Sequence, residues 1–113
     1  MKYFSLFNDS HQVTFKEALF RGLAPDGGLY FPTRVKPLKK SFIDNLKNLG
    51  KSEIAYNVIS QFVGDDIGKK ELTKIIDHSI NFDFPLKQLN ENISVLELFH
   101  GPTMAFKDVG ARF

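Results

Sequence analysis

The stretch that decides the interpretation of this chain is residues 96–113, which read LELFHGPTMAFKDVGARF. The pair Gly101-Pro102 predicts a tight turn, and Thr103 is a residue type that commonly caps the start of a helix. A helix from Met104 onward would carry Lys107 in its first turn or so. The positive end of the helix dipole and the apolar neighbours both disfavour an ammonium ion there. This setting would make the neutral amine of Lys107 more accessible, and a nucleophilic amine is what a Schiff base with a carbonyl cofactor needs.

Three neighbours of Lys107 could share its chemistry. His100 could hydrogen-bond a substrate or cofactor from the loop, or it could hold the turn that follows it. Thr103 is first a helix cap, and contact with a bound ligand is its second possible role. Asp108 points about a quarter-turn away around a helix, which favours a structural or capping carboxylate over a general acid. On residue types alone, a solvated surface lysine is the favoured interpretation of Lys107.

Two segments of the chain resemble a known family. Residues 96–113 look like the segment of the threonine synthases that carries the cofactor lysine. Residues 20–32, FRGLAPDGGLYFP, are similar to the N-terminal signature of the same family, and the spacing between the two segments is also typical of it. Taken by itself, Asp26-Gly27-Gly28 predicts an ordinary turn and not a phosphate loop, because no helix begins directly after it.

The resemblance implies a pyridoxal-phosphate enzyme of the tryptophan-synthase-beta fold type. Lys107 is then the residue that binds the cofactor through a Schiff base and later carries protons at the substrate carbons, with His100 and Thr103 as candidate substrate-binding residues. The implied reaction converts O-phospho-L-homoserine and water to L-threonine and phosphate. Two alternatives remain open: a paralogous phosphate-lyase that stops at elimination, and a small non-catalytic helical interaction module in which Lys107 is incidental.

Length and composition limit the possibilities. A chain of 113 residues that is 42% hydrophobic can bury one modest core, but it is too short for a complete enzyme of the implied type. A formal net charge of +2 gives no case for nucleic acid or membrane as a partner. There is no cysteine and the three histidines are isolated, so no disulfide or zinc site is expected. The sequence shows no secretion signal or membrane-spanning run, and a cytoplasmic protein is expected.

Local patterns predict an α+β fold. An opening strand is followed by an Asn8-Asp9-Ser10 turn, and Thr14 with Glu17 forms a capping box for a short helix that ends at Gly22. Three further helices are predicted, with apolar stripes that pack on one another and start signals at Ser41, at Ser52, and at Asp65 or Asp66. Residues 86–89 and 93–98 predict a hairpin.

These elements predict two parts. Residues 1–82 form an N-terminal domain of short strands with a layer of about four helices. Residues 83–113 form the opening strands and first helix of an α/β pyridoxal-phosphate domain that is truncated, so the chain is expected to be the N-terminal piece of a longer enzyme. Alone, the piece is expected to be inactive. Its segment from Ile93 onward is expected to be mobile or to self-associate.

Overall fold

Residues 1–8 and 11–113 are described by a computed structural model, in which helices mix with small sheets. The helices and strands are, in chain order, β1 (Lys2–Ser5), β2 (Gln12–Thr14), α1 (Phe15–Arg21), β3 (Tyr30–Pro32), α2 (Lys40–Asp44), α3 (Lys51–Val63), α4 (Lys69–Ser79), β4 (Leu86–Asn90), β5 (Ile93–Leu96) and α5 (Asp108–Ala111). The predicted mixture of short strands and helices is confirmed. The predicted turn at Asn8-Asp9-Ser10 lies mostly outside the described residues.

The chain divides into two compact units, Met1–Leu72 and Thr73–Phe113. The division falls inside α4, whereas the predicted domain boundary lies between residues 82 and 83. That boundary concerns the domains of a longer enzyme, and it stays a prediction.

The core of the first unit lies between a three-stranded sheet and α1. The sheet has the order β2-β1-β3 and is antiparallel, with Tyr3 opposite Val13. Since side chains alternate along a strand, Tyr3 and Ser5 share one side of β1, and both are buried. The buried cluster consists of Tyr3, Val13 and Ala18, against which Met1, Phe15 and Tyr30 pack. The Tyr3 hydroxyl donates to the Phe62 carbonyl of α3 at 2.9 Å, and burial raises the pKa of Tyr3.

The predicted capping box of α1 is confirmed. The Glu17 backbone N–H donates to the Thr14 hydroxyl at 3.2 Å, and the Thr14 backbone N–H donates to the Glu17 carboxylate at 2.9 Å. These two bonds hold the pKa of Glu17 below its usual value, the Thr14 backbone having the larger effect. Asp66, predicted as a possible helix start, instead accepts the Lys16 backbone N–H of α1 at 2.8 Å. The helix ends at Gly22, as predicted, with a φ of 72°.

The segment between α1 and β3 is a closed turn. The Gly27 N–H donates to the Ala24 carbonyl, and the Gly28 N–H donates to Asp26 Oδ1 at 2.9 Å. The same Oδ1 accepts the hydroxyl of buried Ser5 at 2.7 Å. Because both glycine N–H groups already have partners, they are not available to cradle a phosphate. The prediction of an ordinary turn is confirmed.

The helices of the first unit begin at other residues than predicted. The helix expected from Ser41 is instead a short α2 that begins at Lys40 without a side-chain cap, followed by one turn of 3-10 helix, Leu46–Asn48. The break occurs at Asn45, whose φ of −97° and ψ of 0° leave the helical range. α3 begins after Gly50, so Ser52 lies inside it and is not its cap.

Apolar side chains of the predicted helical layer are buried on α3 and α4 but not on α2. Val63 of α3 and Leu72 of α4 have only 2% and 1% of their surface exposed. A short α2 cannot present a continuous stripe, and Phe42 and Leu46 are only half-buried. α4 begins at Lys69, after Gly68, and not at Asp65 or Asp66.

The predicted hairpin is present in the second unit. β4 and β5 pair antiparallel with Leu86 opposite Leu96, and an irregularity lies between Gln88 and Asn90. The Asn90 side-chain oxygen accepts the backbone N–H groups of Asn92 and Ile93, both at 3.0 Å, which fixes the turn. Every residue of the two strands is exposed.

A Gly28→Ala substitution tests the closed turn. A methyl group at Gly28 would overlap the Ser5 hydroxyl and lie 3.2 Å from the Phe7 backbone nitrogen. We expect the free energy of unfolding to fall by about 1–3 kcal/mol, measured by urea unfolding. Gly50→Ala is the matched control, because nothing lies within 4 Å of its added methyl group; its cost should stay below about 1 kcal/mol. Equal effects of the two variants would contradict the packing at Gly28.

A pH series tests the Asp26 carboxylate. Its pKa is held below the usual value, first by the hydrogen bond from the Ser5 side chain and then by the one from the Gly28 backbone. A carboxyl with a lowered folded-state pKa contributes stability above its unfolded-state pKa of about 3.9, and this is lost as pH falls through the folded-state value. We expect Asp26→Ala to lower the thermal midpoint near neutral pH, and the difference from wild type to shrink below about pH 4. A difference that is constant across this range would argue against the role.

Candidate functional site

The segment before Lys107 is a loop and not the predicted helix. The Met104 backbone N–H donates to the Gly101 carbonyl at 3.0 Å, and Met104 has a φ of 55°. A residue in this left-handed conformation cannot continue a right-handed helix. The prediction that Thr103 caps a helix beginning at Met104 is therefore wrong. The helix α5 begins four residues later, at Asp108.

Lys107 occupies the capping position immediately before α5. Its backbone has a φ of −61° and a ψ of −25°, and its carbonyl accepts the Ala111 N–H at 2.8 Å. Its side chain is exposed. The apolar neighbours in the sequence are exposed too, Met104 to 78% and Phe106 to 66%. Within this chain the apolar groups flank the amine without enclosing it.

Asp108 is the buried charge beside Lys107, with 4% of its surface exposed. Its Oδ2 accepts the Thr103 backbone N–H at 2.8 Å. Its side chain also lies against the backbone of Gly101, where an added methyl group would come within 2.6 Å of Asp108 Cβ. Asp108 thus has the structural role that the sequence indicated, although the contact with Gly101 had no local signal.

The two candidate substrate-binding residues, His100 and Thr103, lie in the same loop and differ in which of their polar atoms are hydrogen-bonded. His100 Nε2 lies 2.7 Å from Glu97 Oε2, and the His100 ring stacks on Phe99 with 4.7 Å between ring centres. Thr103 has its backbone N–H bound to Asp108, and the residue is exposed. A ligand could therefore reach the Thr103 hydroxyl and the second ring nitrogen of His100.

Arg112 joins α5 to the end of α4, a role that sequence reasoning missed. Its guanidinium donates to the carbonyls of His78 and Ser79, both at 3.2 Å, and to Asn81 Oδ1 at 2.9 Å. The Ser79 hydroxyl, which donates to the Ile75 carbonyl at 2.6 Å, also lies 3.2 Å from the Arg112 carbonyl. Cations are favourable where helix carbonyls end, but no sequence signal linked residues this far apart.

A cavity of about 510 Å³ in the first unit is lined in part by Lys2, Arg34 and Lys36, and none of the candidate residues lines it. Within residues 1–8 and 11–113, no cluster of three or more histidine, aspartate or glutamate side chains could hold a metal ion. Over the same residues, no helix combines the length and apolar character needed to cross a membrane.

Comparisons with known proteins match the whole chain. A family model described as "Threonine synthase N terminus" matches residues 2–80. Threonine synthase from Schizosaccharomyces pombe is 40% identical over 119 residues, covering 100% of this chain and 23% of that protein. The crystal structure of threonine synthase from Escherichia coli has a TM-score of 0.89 and 33% identity, covering 96% of this chain and 25% of that one.

A further structure, of threonine synthase from Brucella melitensis with pyridoxal phosphate bound, has a TM-score of 0.88 and 38% identity, with 96% of this chain and 25% of that chain covered. The chain thus spans about a quarter of the length of these relatives. Because the family model covers more than half of its residues, the chain belongs to the threonine synthase N-terminus family.

Proposed function

We propose that this chain is the N-terminal part of a threonine synthase that converts O-phospho-L-homoserine and water to L-threonine and phosphate, with pyridoxal phosphate attached to Lys107. The observation that carries the proposal is the exposed lysine at the start of α5, in a chain whose relatives are threonine synthases along its entire length. The cofactor belongs to the proposal because the Brucella melitensis relative binds it.

The residues present fit attachment of such a cofactor. Lys107 is exposed at the start of α5, and its sequence neighbours Met104 and Phe106 are exposed apolar residues. When bound, pyridoxal phosphate supplies a carbonyl for a Schiff base with a lysine and a ring that withdraws electrons from the substrate carbons. The groups that hold its phosphate and ring are proposed to lie in the part of the enzyme that this chain does not cover.

Lys107 would contribute the mobile proton carrier of the reaction. Its Nζ is proposed to accept a proton from one substrate carbon and to return it to another, since a flexible amine can serve as base and then as acid. His100 and Thr103 would orient the substrate from the loop through the groups that their own hydrogen bonds leave available.

The assignment of Lys107 can be tested in the full-length protein loaded with pyridoxal phosphate. Borohydride reduction and peptide mapping should place the pyridoxyl label on Lys107. Lys107→Ala should lower kcat by roughly 10²–10⁴-fold or more, because proton transfer and attachment are both lost. Lys87→Ala, at an exposed lysine of β4, is the control and should keep activity and label. A label on another lysine, with an active Lys107→Ala variant, would overturn the assignment; product analysis distinguishes threonine from the product of a lyase.

The 113-residue chain alone should form no threonine and should self-associate. Its hairpin exposes Leu86, Leu96 and Val95, and apolar surface of this kind seeks a partner. Light scattering should show oligomers, and replacing the opposed pair Leu86 and Leu96 by lysine should shift them towards monomer. Detectable threonine formation, or a strict monomer, would contradict this part of the proposal.

A further inference from the structure

Asp108 has a feature that the attachment chemistry of Lys107 does not use: a buried carboxylate bonded back into the loop that leads to the lysine. We infer that Asp108 is a positioning residue, which clamps residues 101–107 and so sets where the Lys107 amine is presented. The inference rests on the proposed function of Lys107. It adds a second requirement to the site, the geometry of the loop.

The Asp108 side chain contacts the loop at two residues, Thr103 and Gly101. Asp108 Oδ2 accepts the Thr103 backbone N–H at 2.8 Å, five residues back along the chain. On the same side of the loop, Gly101 lies so close that a methyl group there would be 2.6 Å from Asp108 Cβ and 2.9 Å from its Cγ. The side chain of Asp108 therefore fills the space between the loop backbone and α5.

The loop needs such a clamp because its own conformation is unfavourable. Met104 has a left-handed φ of 55°, which a residue with a long side chain rarely adopts unless its surroundings hold it there. The Met104 N–H bond to Gly101 closes the turn on one side, and the Thr103 N–H bond to Asp108 closes it on the other. Loss of the carboxylate would release the turn that precedes the lysine.

Lys107 is the last residue of the loop, immediately before Asp108 and α5. Its carbonyl is bonded to the Ala111 N–H of α5, and the next residue is the clamp itself. The backbone therefore fixes the direction of its Cα–Cβ bond, while the exposed side chain stays free to reach a carbonyl. A displacement of about 1 Å at a reacting group can cost on the order of a hundredfold in rate. A clamp on this loop is thus able to control catalysis without touching substrate.

Two substitutions at Asp108 separate position from charge. Asp108→Asn keeps the shape and an oxygen that can accept the Thr103 N–H, but removes the charge. Asp108→Ala removes the acceptor. Asp77→Ala, at an exposed aspartate on α4, is the matched control. Gly101→Ala disrupts the same contact by crowding the Asp108 side chain. It replaces Asp108→Ala in the test if that variant does not fold.

The first measurement is amide hydrogen exchange at Thr103 in the full-length protein. Loss of a hydrogen bond to a charged acceptor should speed exchange at Thr103 roughly 10–100-fold in Asp108→Ala and in Gly101→Ala. Asp108→Asn should stay within a few-fold of wild type, and Asp77→Ala should match it. Unchanged exchange in both Asp108→Ala and Gly101→Ala would overturn the clamp.

The second measurement uses the full-length enzyme loaded with pyridoxal phosphate. Asp108→Ala should lower kcat by roughly 10–100-fold with little change in KM, should still take the borohydride label on Lys107, and should be largely rescued in Asp108→Asn. An Asp108→Asn variant as impaired as Asp108→Ala would show that charge and not position matters, and it would overturn the inference. If the pyridoxyl label of the wild-type enzyme lies on another lysine, the proposed function is contradicted. The hydrogen-exchange result would still decide whether Asp108 clamps the loop.

Discussion

Two aspartate carboxylates each close a turn against the backbone of a glycine. The two segments that resemble threonine synthases, residues 20–32 and 96–113, depend on these closures. Asp26 accepts the Gly28 N–H and the Ser5 hydroxyl, and Asp108 accepts the Thr103 N–H beside Gly101. At Gly28 and Gly101 a side chain would collide with the hydroxyl or the carboxylate. In both segments the absence of a Cβ is what lets the partner approach. Charge-assisted hydrogen bonds of this kind are about twice as strong as neutral ones.

Local closures of this kind add to an apolar core that is spread over several elements. Tyr3, Val13 and Ala18 form a buried cluster with three half-buried partners, and Val63, Leu72 and Ile76 are buried as well. The second unit also has an exposed hairpin, and its α5 has only four residues. The loop before Lys107 is bonded through the Thr103 N–H to Asp108 and through the Met104 N–H to the Gly101 carbonyl. The bonds of Arg112 to the end of α4 then hold α5 in place.

The Lys107 side chain is exposed, and so are its apolar sequence neighbours Met104 and Phe106. In a whole threonine synthase, the part that this chain does not cover would enclose the Lys107 amine, exclude water from it and surround it with further apolar groups. The chain itself would supply the position of the lysine, whereas the rest of the enzyme would supply its environment.

The sequence alone determined those features whose physical cause is local. The capping box at Thr14 and Glu17, the helix end at Gly22 and the hairpin turn at Asn90 each depend on residues within a few positions of one another, and all three are present. The resemblance of residues 96–113 and 20–32 to threonine synthases likewise needed no coordinates. It was sufficient to predict the family that the comparisons confirmed.

Only the tertiary structure decided where α5 begins and what surrounds Lys107. Thr103 followed by apolar residues predicts a helix start, yet Met104 is left-handed, in a loop whose Gly101 lies against the Asp108 side chain. The Ser5 contact with Asp26 and the Arg112 contact with Ser79 also join residues 21 and 33 positions apart. A pattern of neighbouring residues records intrinsic preference, and a contact between distant residues can override that preference when it satisfies a buried polar group that water no longer reaches.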